Sequence, residues 1–85
     1  MASEANGKVV INEEVIGING EKLSPKEIKI TNKNESYLID VESSLNNGVI
    51  EISLEDIKEG LSSIMLNYEN EENTFQTQII YMFQK

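Results

Sequence analysis

The stretch Gly48-Val-Ile-Glu-Ile-Ser-Leu-Glu-Asp-Ile-Lys-Glu-Gly-Leu-Ser-Ser-Ile-Met-Leu-Asn-Tyr68 decides the fold of this chain. Alternate residues are apolar on both sides of a polar centre: Ile50, Ile52 and Leu54 come before it, and Ile64, Leu66 and Tyr68 come after it. This period of two predicts two strands. Between them, Ser53 and Asp56 predict the start of a helical turn, and Gly60 predicts its end in a left-handed conformation. Such a turn carries the chain from one layer of a β-sandwich to the other.

The rest of the chain shows the same alternation. It predicts strands over residues 8–11 (resumed at 15–18), 27–31, 37–42, 49–53, 64–68 and 74–84. Asn19-Gly20 and Asn47-Gly48 are turn signals, and the second predicts a hairpin between 37–42 and 49–53. We therefore expect an all-β, immunoglobulin-like β-sandwich of about six to seven strands, with one short helical turn near 54–59.

The chain is long enough for one small domain. With 85 residues it would bury about 60–65% of the surface of its unfolded chain. Residues 1–7 are small and polar and predict a disordered or tag-like N-terminus. Residues 8–85 then form a single immunoglobulin-like domain, in which Leu54, Ile57 and Leu61 are expected to plug one end of the core.

The composition excludes several classes of function. Histidine, cysteine, arginine and tryptophan are all missing, so the usual zinc, iron–sulfur and haem ligands are absent and we expect no cofactor and no metal. The net charge of −8 repels nucleic acid. No apolar run approaches the roughly 18 residues that span a bilayer, so we expect no membrane insertion. Serines without a histidine base, and paired acids such as Glu13/Glu14 and Glu55/Asp56 without a predicted cleft, indicate that the chain is not an enzyme.

The segment Leu54–Tyr68, with the hairpin at 69–74 after it, resembles bacterial immunoglobulin-like modules. The shared pattern is a short crossover, a glycine, an alternating strand and an Asn-containing hairpin before the last strand. The modules include the X2 type that accompanies glycan-degrading domains, and the resemblance covers the C-terminal half. The tyrosine of the Greek-key tyrosine corner, expected near Ile64, stands here at Tyr68. A second resemblance, through 47–54 and 77–83, is to the N-terminal β-domain of phage baseplate upper proteins.

Two groups of residues are candidate ligand sites, each with a simpler alternative. The acidic loop 69–73 offers oxygen ligands for calcium, although its spacing is not that of an EF-hand and a solvated hairpin is the favoured interpretation. Tyr37, Tyr68 and Tyr81 could stack on sugar rings. They are in phase with the inward apolar residues of their strands, however, which favours core packing.

Ile80 and Met82 break the polar pattern on the outer side of the last strand, where Gln76, Gln78 and Gln84 alternate. If exposed, they form an apolar patch for protein contact or a homodimer seam. The favoured interpretation is that the broken first strand or a long loop covers them. They are nevertheless the candidate binding residues.

The resemblance to bacterial modules implies a non-catalytic structural or interaction module of a larger cell-surface or secreted protein. Its partners would be neighbouring domains of the parent protein or another surface protein. We expect an extracellular or cell-surface location with the secretion signal outside these 85 residues, while a cytoplasmic location stays open. The alternatives are a carbohydrate-binding module with a glycan ligand, a phage structural domain, and a small acidic inhibitor that imitates a polyanion.

Overall fold

The computed structural model describes residues 2–46, 49–71 and 73–84, and these residues form an all-β fold. Their strands are β1 (Ala2–Ala5), β2 (Lys8–Ile11), β3 (Val15–Ile16), β4 (Lys22–Leu23), β5 (Pro25–Asn32), β6 (Glu35–Ile39), β7 (Leu45–Asn46), β8 (Val49–Ser53), β9 (Gly60–Glu69) and β10 (Thr74–Phe83). One helical turn, α1 (Val41–Ser44), precedes β7, and a 3-10 turn (Leu54–Asp56) precedes β9. No helix in these ranges is long and apolar enough to cross a membrane.

The strands pair in antiparallel fashion in two larger sheets and one small hairpin. The first sheet has the order β1-β2-β8-β7, and the second has the order β10-β9-β5-β6. Within the described part of the chain, β3 and β4 pair only with each other, around the turn at Asn19-Gly20 that the sequence predicted. In the second sheet β10 and β6 are therefore edge strands, while β9 and β5 are interior strands.

Both sheets contribute inward residues to one hydrophobic core. Its buried members are Val9, Ile11, Ile50 and Ile52 from the first sheet, Ile28, Ile30, Ile64, Leu66 and Tyr68 from the second, and Ile57 from the connection between them. The alternation predicted for β5, β8 and β9 is confirmed, because the inward isoleucine, leucine and tyrosine side chains of these strands are at most 2% exposed. β-branched side chains suit this arrangement because they pack well on a pleated surface.

The connection from β8 to β9 crosses from the first sheet to the second, as predicted. Ser53 Oγ accepts the Glu55 backbone N–H at 3.3 Å and starts the 3-10 turn, and Gly60 has a φ of +111°. Asn32, only 3% exposed at the end of β5, donates through Nδ2 to the backbone oxygens of Lys58 and Glu59 at 3.3 and 3.2 Å. One buried amide thus fixes the crossover to the second sheet.

The N-terminal segment differs from the expected disorder. Ala2–Ala5 form β1, which pairs with β2 in the register Ala2↔Ile11 to Ala5↔Lys8. Asn6 and Gly7, with φ of 54° and 77°, form the turn between them. These angles are those that an Asn-Gly hairpin turn requires. The segment lacks apolar alternation, and its pairing depends on backbone hydrogen bonds.

The strand predicted over residues 37–42 is confirmed only for 37–39, and its predicted hairpin with 49–53 is wrong. β6 ends at Ile39 and belongs to the second sheet, while β8 pairs with the two-residue strand β7. The side chain of Asp40 accepts the Ser43 N–H at 3.2 Å and caps α1, which lies between β6 in the second sheet and β7 in the first. A local cap therefore overrides the alternating pattern at Val41. The predicted turn Asn47-Gly48 lies outside the described residues.

The core plug predicted from the crossover is partly wrong. Ile57 is buried and Leu54 half-buried, but Leu61 is 57% exposed. Leu61 is in β9, which begins at Gly60, and it has the opposite parity to the buried Ser62, Ile64 and Leu66. Strand geometry therefore turns Leu61 outward.

Candidate interaction surface

Ile80 and Met82 lie on the outer side of the edge strand β10. They are 59% and 50% exposed, respectively. The favoured expectation that another segment covers them is wrong, since β2 lies in the first sheet and β3 pairs with β4. Both side chains are presented to solvent by the alternation of β10, whose inward residues are half-buried.

Leu61 of β9 extends this apolar area. The register places Met82 opposite Leu61 and Ile80 opposite Ser63, so the three apolar side chains meet at one corner of the second sheet. We call Leu61, Ile80 and Met82 the apolar corner. The sequence analysis missed Leu61, although its odd number in the β9 series, opposite to Ile64 and Leu66, indicates an outward position.

The strand that carries the apolar corner has no charge. Residues 73–84 include no Asp, Glu, Lys or Arg, in a chain whose net charge is −8. All ten residues of β10 pair with β9 in one unbroken register, from Thr74↔Glu69 to Phe83↔Gly60. Natural edge strands usually carry charges, prolines or bulges that prevent further pairing. β10 has none of these devices.

The three tyrosines do not form an exposed sugar-binding platform. Tyr68 is 1% exposed, and its hydroxyl donates to Glu13 Oε1 at 3.1 Å. Burial and the neighbouring Glu13 carboxylate raise the pKa of Tyr68 to about 12. Tyr81 is half-buried, and its hydroxyl donates a hydrogen bond to Glu4. Burial, and to a smaller extent the Glu4 carboxylate, raise the pKa of Tyr81 to about 12. Tyr37 is half-buried and accepts the Lys58 backbone N–H at 3.1 Å. The prediction of core-facing tyrosines is confirmed.

The carboxylates considered for catalysis hold structural contacts or lie exposed. Glu13 Oε1 accepts hydrogen bonds from Tyr68 and, at 2.5 Å, from Thr77, so it links the segment after β2 to β9 and β10. Its neighbour Glu14 is exposed, as are Glu55 and Asp56.

The acidic loop is organised by its amides. Asn73 N–H donates to Asn70 Oδ1 at 2.7 Å, and Asn70 N–H donates to the Asn73 backbone oxygen at 2.9 Å. Glu69 and Glu71 are exposed, and Glu72 lies outside the described residues. Over the described ranges, no three acidic side chains converge as a metal would require.

Lys58 and Glu35 form an ion pair on the surface. Its hydrogen bond lowers the pKa of Glu35 and raises that of Lys58. The Lys58 ammonium also lies 5.5 Å from the centre of the Tyr37 ring. Both charged groups are exposed, and such pairs contribute little to stability.

Comparison of the chain with protein-family models, curated proteins and solved structures finds no match. The resemblance to bacterial immunoglobulin-like modules therefore stays a prediction. The fold itself and the uncharged strand β10 are the observations from which a function is inferred.

Proposed function

We propose that the chain is a non-catalytic structural or interaction module of a larger bacterial cell-surface or secreted protein, and that it acts through protein contact at the apolar corner. The observation that carries the proposal is the exposure of Ile80 and Met82 on the uncharged strand β10, next to the exposed Leu61 of β9. Exposed apolar area of this kind marks protein-binding surfaces. The chain offers no histidine or cysteine for nucleophilic or acid–base chemistry near neutral pH.

The shared core of two antiparallel sheets supports the description of a β-sandwich module. The immunoglobulin-like arrangement stays a finer prediction. In the constant-type arrangement, strands A, B, E and D form one sheet and C, F and G form the other. In that arrangement the first two strands, A and B, lie in the same sheet. Here the first strand with fully buried residues, β2, lies in the first sheet, whereas the next one, β5, lies between β9 and β6 in the second sheet.

The test is a titration of the isotope-labelled protein with the parent chain and, separately, with each domain that flanks this one in the parent. We expect amide shift changes concentrated in β9 and β10. The double variant Ile80→Gln/Met82→Gln should remove them, because it replaces the apolar contact with polar groups. The matched control Ile16→Gln/Ile18→Gln changes two apolar residues that are exposed elsewhere, at 48% and 72%, and should keep them.

Three results would contradict the proposal. The first is a titration in which neither the parent chain nor any flanking domain moves the resonances of β9 and β10. The second is a parent gene with no secretion signal and no flanking domain. The third is retention of the protein in affinity electrophoresis with a polysaccharide, which would favour a carbohydrate-binding module instead.

A further inference from the structure

The free side of β10 is the longer of the two unpaired strand edges in the second sheet. β10 is ten residues long, lies at the sheet edge and has one strand partner, β9, among the described residues. The backbone N–H and C=O groups on its other side are available for one more strand. A long, regular, uncharged edge is a template for strand addition.

We propose that the partner at this edge is a second copy of the same chain, whose β10 pairs antiparallel with the first across a two-fold axis near Tyr81. The proposal deepens the proposed function and rests on it. The pairing joins two four-stranded sheets into one sheet of eight strands. A two-fold interface uses the same patch on both partners, so the strand must be complementary to itself.

The sequence of β10 meets this requirement around Tyr81. In an antiparallel pair with Tyr81 on the axis, residues whose numbers are equally distant from 81 lie opposite each other. Ile80 then lies opposite Met82 on the outer side, and Ile79 opposite Phe83 on the inner side, each twice. Residues 78 and 84, both glutamine, lie opposite each other at the two ends. Apolar cross-strand pairs of this kind stabilise a sheet.

The same register brings the apolar corners of the two copies into contact with each other. Leu61 lies beside Met82 within one copy, and Met82 lies beside Ile80 of the other copy in the proposed seam. Six apolar side chains from the two copies thus form one continuous strip on the outer side. A register centred elsewhere would place Ile80 or Met82 opposite glutamine or threonine for part of the seam.

Charge favours this edge as the meeting point of two copies. Each copy carries a net charge of −8, so most approaches are repelled. Residues 73–84 contribute no charge to that repulsion. Because raising the salt from about 0.01 M to 1 M shortens the Debye length from about 30 Å to 3 Å, salt should strengthen the association. A seam of one strand buries less than the roughly 800 Å² per partner of stable complexes, so we expect a dissociation constant on the order of 10–100 µM.

Sedimentation equilibrium of the untagged protein over a concentration series tests the proposal. We expect a monomer–dimer equilibrium that shifts toward dimer at high salt. Ile80→Lys should weaken it by about tenfold or more, because a lysine on an edge strand opposes pairing. The matched control is Leu38→Lys, which changes a residue 65% exposed on β6, the opposite edge of the same sheet. It should leave the equilibrium unchanged. Circular dichroism of each variant verifies that it is folded.

The register has its own measurement. In a mixture of isotope-labelled and unlabelled protein, we expect intermolecular nuclear Overhauser effects between the methyl groups of Ile80 and Met82. A monomer at millimolar concentration in high salt would overturn the inference, as would a dimer that Leu38→Lys disrupts and Ile80→Lys does not. If the protein is monomeric but a flanking domain moves the resonances of β10, the inference fails and the proposed function stands. If the protein is monomeric and no flanking domain moves these resonances, the inference and the proposed function both fail.

Discussion

Strands β5 and β10 belong to the same sheet but have opposite surface chemistry. β5 lies in the interior of the sheet between β9 and β6 and carries Lys26, Glu27 and Lys29. β10 lies at the edge and carries no charge. Charged residues protect a sheet best at its edges, where unpaired backbone groups are exposed. The reversed distribution leaves the one long edge of this sheet without charged protection, which is the feature that the proposed contact uses.

The inner faces of the two strands differ as well, and this gives the largest expected effect. Ile30 of β5 is fully buried, whereas Ile79 of β10 is half-buried. Ile30→Ala leaves a cavity in the core and should lower the free energy of unfolding by about 3–4 kcal/mol, while Ile79→Ala should cost about half of that. Urea denaturation of dilute protein measures both. Equal costs would mean that β10 is packed as closely as β5.

The end of β5 is held by a polar contact of similar importance. Asn32 Nδ2 donates to two crossover carbonyls and, at 3.0 Å, to Ser62 Oγ. Asn32→Ala should lower the free energy of unfolding by about 2 kcal/mol, because the buried Ser62 hydroxyl and two part-buried carbonyls lose their donor. The exposed Asn12 between β2 and β3 is the control, and Asn12→Ala should change stability by less than about 0.5 kcal/mol. A similar cost for both variants would contradict the role of Asn32.

Tyr68 of β9, the strand between β5 and β10, should make the stability of the sheet depend on pH. The pKa of Tyr68 is raised to about 12 in the folded protein, above the value of about 10 in the unfolded chain. The unfolded state therefore releases this proton first, and the stability contributed below pH 10 is lost as the pH rises from about 10 to 12.

Tyr68→Phe should flatten the fall in unfolding free energy over that window, measured by urea denaturation at several pH values. Tyr81→Phe is the companion variant, since Tyr81 also has its pKa raised to about 12. If the fall between pH 10 and 12 is as steep in the double variant as in the original protein, the two tyrosines are not its cause.

The outer faces should show the smallest effects on stability. Lys29→Gln on β5 and Ile80→Gln on β10 each change an outward side chain, and each should alter the free energy of unfolding by less than about 0.5 kcal/mol. The two variants should differ only in self-association, which Ile80→Gln weakens. A large loss of stability from Ile80→Gln in dilute protein would show that Ile80 packs within one molecule.

The strands of the core could be predicted because their side chains alternate. Ile28, Ile30, Ile64 and Leu66 follow a strict period of two, and all are buried. The pairing order could not be predicted in the same way. It depends on which layer each strand joins, and the cap at Asp40 moves the chain between layers at a point where Tyr37, Ile39 and Val41 still alternate.

The candidate site was predictable in part. Ile80 and Met82 stood out because they break the pattern of β10, but their exposure depends on where the N-terminal strands go. β2 joins the first sheet, so it leaves the outer side of β10 uncovered. The sequence pattern predicted a core position for Leu61 because the crossover was expected to continue past Gly60. The strand begins at Gly60, and this position decides which way Leu61 faces.

The hydrogen bond from the Tyr81 hydroxyl to Glu4 joins two residues that are 77 positions apart in sequence. The first and last described strands therefore neighbour each other across the two layers, and anything fused near either end of the domain will sit close to the free edge of β10. Because Ala2 pairs with Ile11 and packs against the core, a fusion partner is best joined before Ala2, where it leaves these contacts in place.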